Sequence, residues 1–310
     1  MSRVPSKTTV AVLLGGWSAE REVSLSSGKA CTAALERAGF KAVPIDAQRE
    51  TIVSELQRVK PDVAFNALHG KWGEDGCCAA ILETLQIPYT HSGVLASSLA
   101  MHKEKSKALF RAAGIPVAES MLVPLEEVAK SHPMKPPYVV KPVAEGSSVG
   151  VHIVCEGANT PVTAVLSERA VFGSHAMVER FIPGRELTCA VVGDTALGVI
   201  DIVSRGSGWY DYEAKYAPGG SQHILPAQIP TDVYKACRHY ALAAHDALGC
   251  RGVSRTDFRY DDSAGELIVL EVNTQPGMTG TSLVPELAAH AGQSYEALVT
   301  WMVDDASVDR

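Results

Sequence analysis

The sequence predicts an α/β protein whose first part is a parallel α/β domain. Between residues 8 and 85, short apolar runs alternate with helical patterns, as in a parallel sheet with helices on its faces. The chain has 310 residues, more than a typical single domain, so two or three lobes are expected. Residues 253–282 carry two apolar-alternating runs around a turn-like segment, Asp262-Ser263-Ala264-Gly265-Glu266. That is a hairpin signal.

In chain order, residues 8–14 (TTVAVLL) read as a short buried strand ending in Gly15-Gly16. A helix follows over 24–37, closed by Gly39, then strands over 41–45 and 62–68 and a helix over 75–85. Loops at the C-terminal ends of parallel strands carry ligand sites. Here they hold Gly15 to Glu20 and His69 to Glu74. A first boundary is placed near Leu99.

From Met101 the pattern is a helix, then Gly114-Ile115-Pro116, a strand and an acidic helix. Strand 138–141 (YVVK) runs into a loop containing Gly146-Ser147-Ser148, and a strand over 152–154 follows. Further strands are expected over 176–182, 186–192 and 197–203. The Gly- and Tyr-rich segment 204–222 reads as a lid, since long structureless loops often cover active sites. A helix over 232–248, the hairpin and two terminal helices complete the chain.

Composition narrows the function. Hydrophobic content of 46% and charge of 20% are ordinary for a soluble globular protein. A net charge of −7 leaves no basic footprint for nucleic acid. Met1 to Thr9 lack an apolar run of signal-peptide length, and no window approaches a membrane span. The seven cysteines show no CxxC spacing, so a cytoplasmic protein with reduced thiols is expected.

Pairing the hairpin so that Asp257 faces Glu271 sets Arg255 opposite Asn273, Phe258 opposite Leu270 and Tyr260 opposite Ile268. Two carboxylates opposed at roughly 5 Å repel each other unless a cation lies between them. Few, hard oxygen ligands suit Mg2+, which usually also holds substrate phosphates. A solvated face with chance charges is the alternative. The Gly146-Ser147-Ser148 loop lets backbone N–H groups approach phosphate, and Lys141 before it adds a compact positive charge. A plain hairpin turn explains that loop equally well. GxxxxGK[ST] and GxGxxG spacings are both absent, which argues against a P-loop and a nicotinamide site. Glu20 either stabilises a helix N-terminus or holds a substrate ammonium, and composition does not decide between them. His69 is a lone histidine, more often structural than catalytic.

Taken together and in order, VAVLLGGWSAEREVSLSSG at 10–28, NALHGKWGEDG at 66–76, VVKPVAEGSSVGV at 139–151, YDYEAKYAPGG at 210–220 and LEVNTQPGMTGTSLVP at 270–285 resemble the D-alanine–D-alanine ligase family of the ATP-grasp superfamily. The resemblance spans almost the whole chain. It implies a three-lobed ATP-grasp fold: an N-terminal α/β substrate domain over 1–99, a central ATP-grasp domain over 100–184, and a C-terminal ATP-grasp domain over 185–310 with the metal site and lid. The implied activity joins two D-alanines through a D-alanyl phosphate, with release of ADP and phosphate, for peptidoglycan precursors.

By the same resemblance, Asp257, Glu271 and Asn273 hold two Mg2+ ions, with Mn2+ as a substitute. Lys103, Lys141 and Lys215 match lysines on the ATP phosphates. Glu179, Arg180, Phe181 and Ile182 match the hinge on adenine, and Glu186 the ribose ligand. Glu20 matches the residue on the first substrate's ammonium, with Ser147 and Tyr216 as hydrogen-bonded partners that fasten the lid. His69 matches a neighbour of the first carboxylate. Arg255 and the Gly277 N–H match donors to the reacting oxygen, and Ser282 and Leu283 match contacts to the second D-alanine. A homodimer is also implied. Four places depart from the usual pattern: His102 where an acidic residue is common, Trp72, Arg180 where lysine is frequent, and the run Gly252-Val253-Ser254. Competing readings are a ligase using D-lactate or D-serine as second substrate, and a non-catalytic nucleotide or amino-acid sensor.

Overall fold

The computed structural model describes residues 2–146, 149–204 and 220–310. The first sheet is parallel, with β1 (Thr9–Leu14) between β2 (Lys41–Asp46) and β3 (Val63–Asn66). Val10 to Leu13 are fully buried, because a strand covered on both faces needs a continuous apolar run rather than alternation. Helix Arg21–Arg37 buries Ser24, Ser27, Gly28, Cys31, Ala34 and Leu35, a stripe at helical spacing. Its small residues let it lie close to β1: a Cβ on Gly28 would stand 2.3 Å from Leu14 Cβ.

This helix begins three residues before the expected Ser24. The added turn, Arg21 to Val23, has no buried residue, so it carries no hydrophobic periodicity. The expected strand over 62–68 is confined to β3, and the helix over 75–85 to Cys77–Thr84.

A second sheet is antiparallel, in the order β4 (Ser120–Pro124), β7 (His175–Arg180), β5 (Tyr138–Pro142), β6 (His152–Val154). Its core gathers residues 123 to 178, including Leu125, Tyr138, Val140 and Phe172. The third sheet runs β10 (Ser221–Ile224), β9 (Thr195–Ser204), β8 (Arg185–Val192), β11 (Val253–Asp261), β12 (Glu266–Asn273), all antiparallel. Helix Thr231–Leu248 packs against it through Cys237, Ala241 and Ala244. Another cluster joins Val10, Val12 and Phe65 of the first sheet to Ala190 and Ile200 of the third. It includes Val284 and Leu287 of helix Leu283–His290, and Leu298 and Met302 of helix Tyr295–Asp305.

The hairpin is β11 and β12. Asp257 pairs with Glu271 and Arg255 with Asn273, as expected. Beyond that point the register differs: Phe258 pairs with Val269 rather than Leu270, and Tyr260 with Leu267 rather than Ile268. A bulge between Asp257 and Phe258 inserts one residue into β12, as bulges do where a strand changes what it presents. Glu266, placed in the turn by sequence, already pairs with Asp261. The expected lid is also shorter at both ends, since Ser204 ends β9 and Ser221 and Gln222 begin β10. The rest of it, residues 205–219, lies outside the described residues. No helix among the described residues is long and apolar enough to cross a membrane.

Candidate active site

One cavity lies between the second and third sheets. Val139 and Lys141 of β5, Ile153 of β6 and Phe181-Ile182 after β7 form one side. Asp257, Arg259, Leu270 and Glu271 of the hairpin form the other, with Lys103 at one end. The bulge explains Leu270: with the extra residue, both Leu270 and Glu271 line the cavity. Glu179, Arg180 and Glu186 line it too. Apolar walls with a few convergent charges suit a heterocycle carrying phosphates.

A second cavity lies between the first sheet's loops and the third sheet. It is lined by Glu20, His69, Arg255, Asn273, Gly277, Ser282 and Leu283. Gly146 lines both cavities. So does the hairpin, since the Asp257–Glu271 rung faces the first cavity and the Arg255–Asn273 rung, two residues along, faces the second. Each position expected from sequence thus falls in one cavity or the other, except Ser147, Lys215 and Tyr216, which lie outside the described residues.

The charges of the first cavity are paired. Asp257 is 7% exposed and Lys141 8%, and a charge so deeply placed needs a counter-ion. The Arg255 guanidinium meets Asp257 through two hydrogen bonds of 2.8 and 2.7 Å. Thr188 donates to Asp257 at 2.7 Å, and the Asn273 amide donates to it at 2.9 Å. Lys103 lies 3.3 Å from Glu271 and donates to the Glu145 carbonyl at 2.5 Å. The two opposed carboxylates therefore each have a cation of their own. Lys141 donates to Glu179 at 2.9 Å, and burial, then nearby Lys103, pushes its ammonium down to about 8. Arg180 grips Glu266 at 2.5 and 3.1 Å, so its side chain ties the end of β7 to the start of β12. Arg259 lies 3.6 Å from Glu186 and over the Phe181 ring.

Glu20 occupies the N-cap position of helix Arg21–Arg37, yet its side chain makes no capping hydrogen bond. Its carboxylate turns to the loops instead. A Cβ on Gly146 would stand 2.9 Å from Glu20 Oε1, so a larger residue there would push the Glu20 carboxylate aside. His69 is buried, with Nδ1 3.2 Å from Glu74 and Nε2 3.0 Å from the Ser27 hydroxyl. Ser27 in turn accepts from the Met278 N–H at 3.3 Å, next to Gly277. Burial first, with Glu20 nearby, raises the Glu74 carboxyl. Trp72 holds a left-handed backbone, φ +72°. Its ring lies 4.2 Å from that of Trp17, and Arg49 covers Trp17. This contact joins the two loops that carry Glu20 and His69. His102 caps helix Lys103–Ala112 by accepting from the Lys105 N–H at 3.4 Å.

Sequence reasoning missed Glu74, Gln275, Lys107 and Arg259. Glu74 follows His69 by five residues in a sheet-end loop, and Lys107 follows Lys103 by one helical turn. Both spacings were legible. Gln275, which bridges Asn66 and the Leu68 carbonyl, had no such signal.

No three His, Cys, Asp or Glu side chains converge on a metal position among the described residues. The available donors are two opposed carboxylates and one carboxamide. Such a set fits Mg2+, which takes one or two carboxylates and completes its shell with water and phosphate.

A family model described as "D-ala D-ala ligase C-terminus" matches residues 109–304. A D-alanine–D-alanine ligase of Parvibaculum lavamentivorans is 61% identical over 97% of this chain and 98% of its own length. One of Methylobacterium radiotolerans is 59% identical over 97% and 99%. The crystal structure of a D-alanine–D-alanine ligase from Bacillus anthracis complexed with ATP superposes with a TM-score of 0.79 at 28% identity, covering 96% of this chain and 97% of that one. The VanG D-Ala:D-Ser ligase of Enterococcus faecalis gives 0.77 at 29% identity, covering 96% and 98%.

Proposed function

The chain belongs to the D-alanine–D-alanine ligase family, and from that premise we propose how its adjoining cavities divide the reaction. The fold is the ATP-grasp fold, and the activity is ATP-dependent joining of two D-alanines for cell-wall synthesis. The single observation that carries our division of labour is the shared floor. One hairpin presents Asp257 and Glu271 to the first cavity and Arg255 and Asn273 to the second. A phosphate held over the first rung therefore adjoins a carboxylate held over the next.

ATP lies in the first cavity, its adenine between the apolar walls at Phe181, Ile182 and Leu270. Glu186 takes the ribose, and Lys103 and Lys141 take the phosphates. Lys215, outside the described residues, is assigned to the same phosphates. Asp257, Glu271 and Asn273 would hold Mg2+, two ions by family resemblance. Arg255 then has to release Asp257, and the Asn273 amide has to turn its oxygen inward. Bound there, Mg2+ supplies neutralisation of charge on the transferred phosphoryl group.

Glu20 holds the ammonium of the first D-alanine and His69 orients its carboxylate, with Glu74 and Ser27 fixing the imidazole. A free carboxylate is a poor acyl donor. One of its oxygens attacks the γ-phosphorus, the bond to the bridging oxygen of ADP breaks, and an acyl phosphate results. The neutral amine of the second D-alanine, placed by Ser282 and Leu283, attacks the acyl carbon. Negative charge gathers on the acyl oxygen, where Arg255 and the Gly277 N–H donate to it. The C–O bond to phosphate breaks, the departing phosphate takes the proton from the nitrogen, and the dipeptide forms. Ser147 and Tyr216, outside the described residues, are assigned to fasten the lid over Glu20. By family resemblance the enzyme works as a homodimer in the cytoplasm, the dimer being testable by sedimentation.

The experiment is an ADP-release assay with mass identification of the product, run with D-alanine, L-alanine, and D-alanine plus D-serine or D-lactate. Release that needs Mg2+ and D-alanine, with D-alanyl-D-alanine as product, supports this reading. Equal release with L-alanine, or a mixed product formed in preference, contradicts the assigned substrate contacts.

A further inference from the structure

Glu179 lies at the back of the nucleotide cavity and is 2% exposed. Two ammonium groups meet its carboxylate from opposite sides. Lys141, which lines the cavity, donates to Oε1 at 2.9 Å. Lys107, fully buried in helix Lys103–Ala112, donates to Oε2 and to the Ala118 carbonyl. A fully buried lysine is costly unless it is paired, and nothing in the functional reading above uses this one.

We propose that Lys107 is a positioning residue for the nucleotide: it neutralises Glu179 from the core side and so leaves the Lys141 ammonium available to the polyphosphate. Without Lys107, Lys141 would be the carboxylate's main counter-ion and its charge would be largely cancelled. With Lys107 present, Lys141 keeps two donors and most of its charge for phosphate. Burial, and then Lys141, Arg111 and Lys103, push the Lys107 ammonium down, while its direct contact with the Glu179 carboxylate opposes this and holds the proton on Lys107. As Lys141 turns toward phosphate, the second of these causes weakens, and Lys107 becomes the firmer partner of Glu179.

This inference rests on the reading of Lys141 as a phosphate lysine. The test compares the affinities of ADP and adenosine by calorimetry in metal-free buffer, since only ADP meets Lys141 through phosphate. Lys107→Met should weaken ADP about tenfold, the worth of one charge-assisted hydrogen bond, and leave adenosine unchanged. Adding Glu179→Gln to that variant should restore the ratio of the two affinities. Equal loss for both ligands, or no loss, overturns the proposal. If Lys107→Met does not fold, Glu179→Gln alone decides. It should raise the ADP-to-adenosine affinity ratio, and a ratio unchanged or lowered overturns the proposal. Lys141→Met separates the two levels. If it spares ADP binding, the phosphate assignment fails and this inference falls with it. If it weakens ADP while Lys107→Met does not, only the role of Lys107 is lost.

Discussion

Lysine and carboxylate pairs decide what each residue of the first cavity can do. Asp257, Glu271, Lys103 and Lys141 all have partners within the protein, so ligand binding is an exchange of partners rather than the filling of a bare site. Burial, which disfavours its charged form, pushes the Lys141 ammonium down to about 8. Its charged form is the one that holds phosphate, so ADP affinity should fall as pH rises through about 8. Calorimetry at pH 7 and pH 9 checks this, and equal affinities would remove Lys141 from the phosphate site. Asp257→Ala and Glu271→Ala should each lower turnover by at least about a hundredfold, the scale of losing a group that stabilises transition-state charge. Steady-state ADP release at saturating Mg2+ measures the loss. At this scale the sequence was partly legible. Residue types at strand ends marked Lys141, while Glu20 and His69 stayed undecided until the resemblance gave them roles. Their partners were not legible, because Lys107 with Glu179 and Gln275 with Asn66 meet only through packing of distant segments.

Among the elements, the hairpin shows why register is harder to read than existence. The run Ile268-Val269-Leu270 is apolar throughout, so no alternation marks where the extra residue enters. The bulge places Leu270 beside Glu271 in the cavity proposed for the nucleotide. Leu270→Ala should therefore weaken ATP binding by about 1–2 kcal/mol from lost apolar contact, with the KM for D-alanine unchanged. An equal rise in both constants would point to general damage instead. The loops of the first sheet are held by Asp46, at the end of β2. It takes two hydrogen bonds from Arg21, at 2.8 and 2.6 Å, and one from the Gly16 N–H at 3.3 Å. Arg21 foremost pulls this carboxyl down to about 2 from its ordinary value near 3.8. Its pKa is depressed in the folded state, so its stabilisation is complete above about pH 4 and is lost as pH falls to about 2. The pair is solvent-exposed and screened, so its contribution is small. Thermal midpoints of Asp46→Asn should lie slightly under the parent at pH 7 and coincide with it at pH 2.

Across the whole molecule, two cores matter for the cleft. The first and third sheets share one apolar cluster through the terminal helices, while the second sheet has its own, drawn from residues 123 to 178. The nucleotide cavity opens between these two bodies, so closure around ATP is expected to move the second sheet as a unit. Hydrogen exchange should show residues 120–180 opening at lower free energy than the first sheet, with ADP slowing the exchange. Uniform protection across the chain would contradict this. Alternating strands and helices revealed the parallel sheet from sequence alone. The three-lobed plan was legible only through resemblance, since strand order in an antiparallel sheet leaves no periodic trace. The central claim is that a D-alanine carboxylate attacks ATP over the hairpin. Single-turnover reaction of D-alanine labelled with 18O in its carboxylate tests it most directly. One labelled oxygen should appear in the released inorganic phosphate for each dipeptide formed. Unlabelled phosphate beside a normal yield of dipeptide would contradict the account.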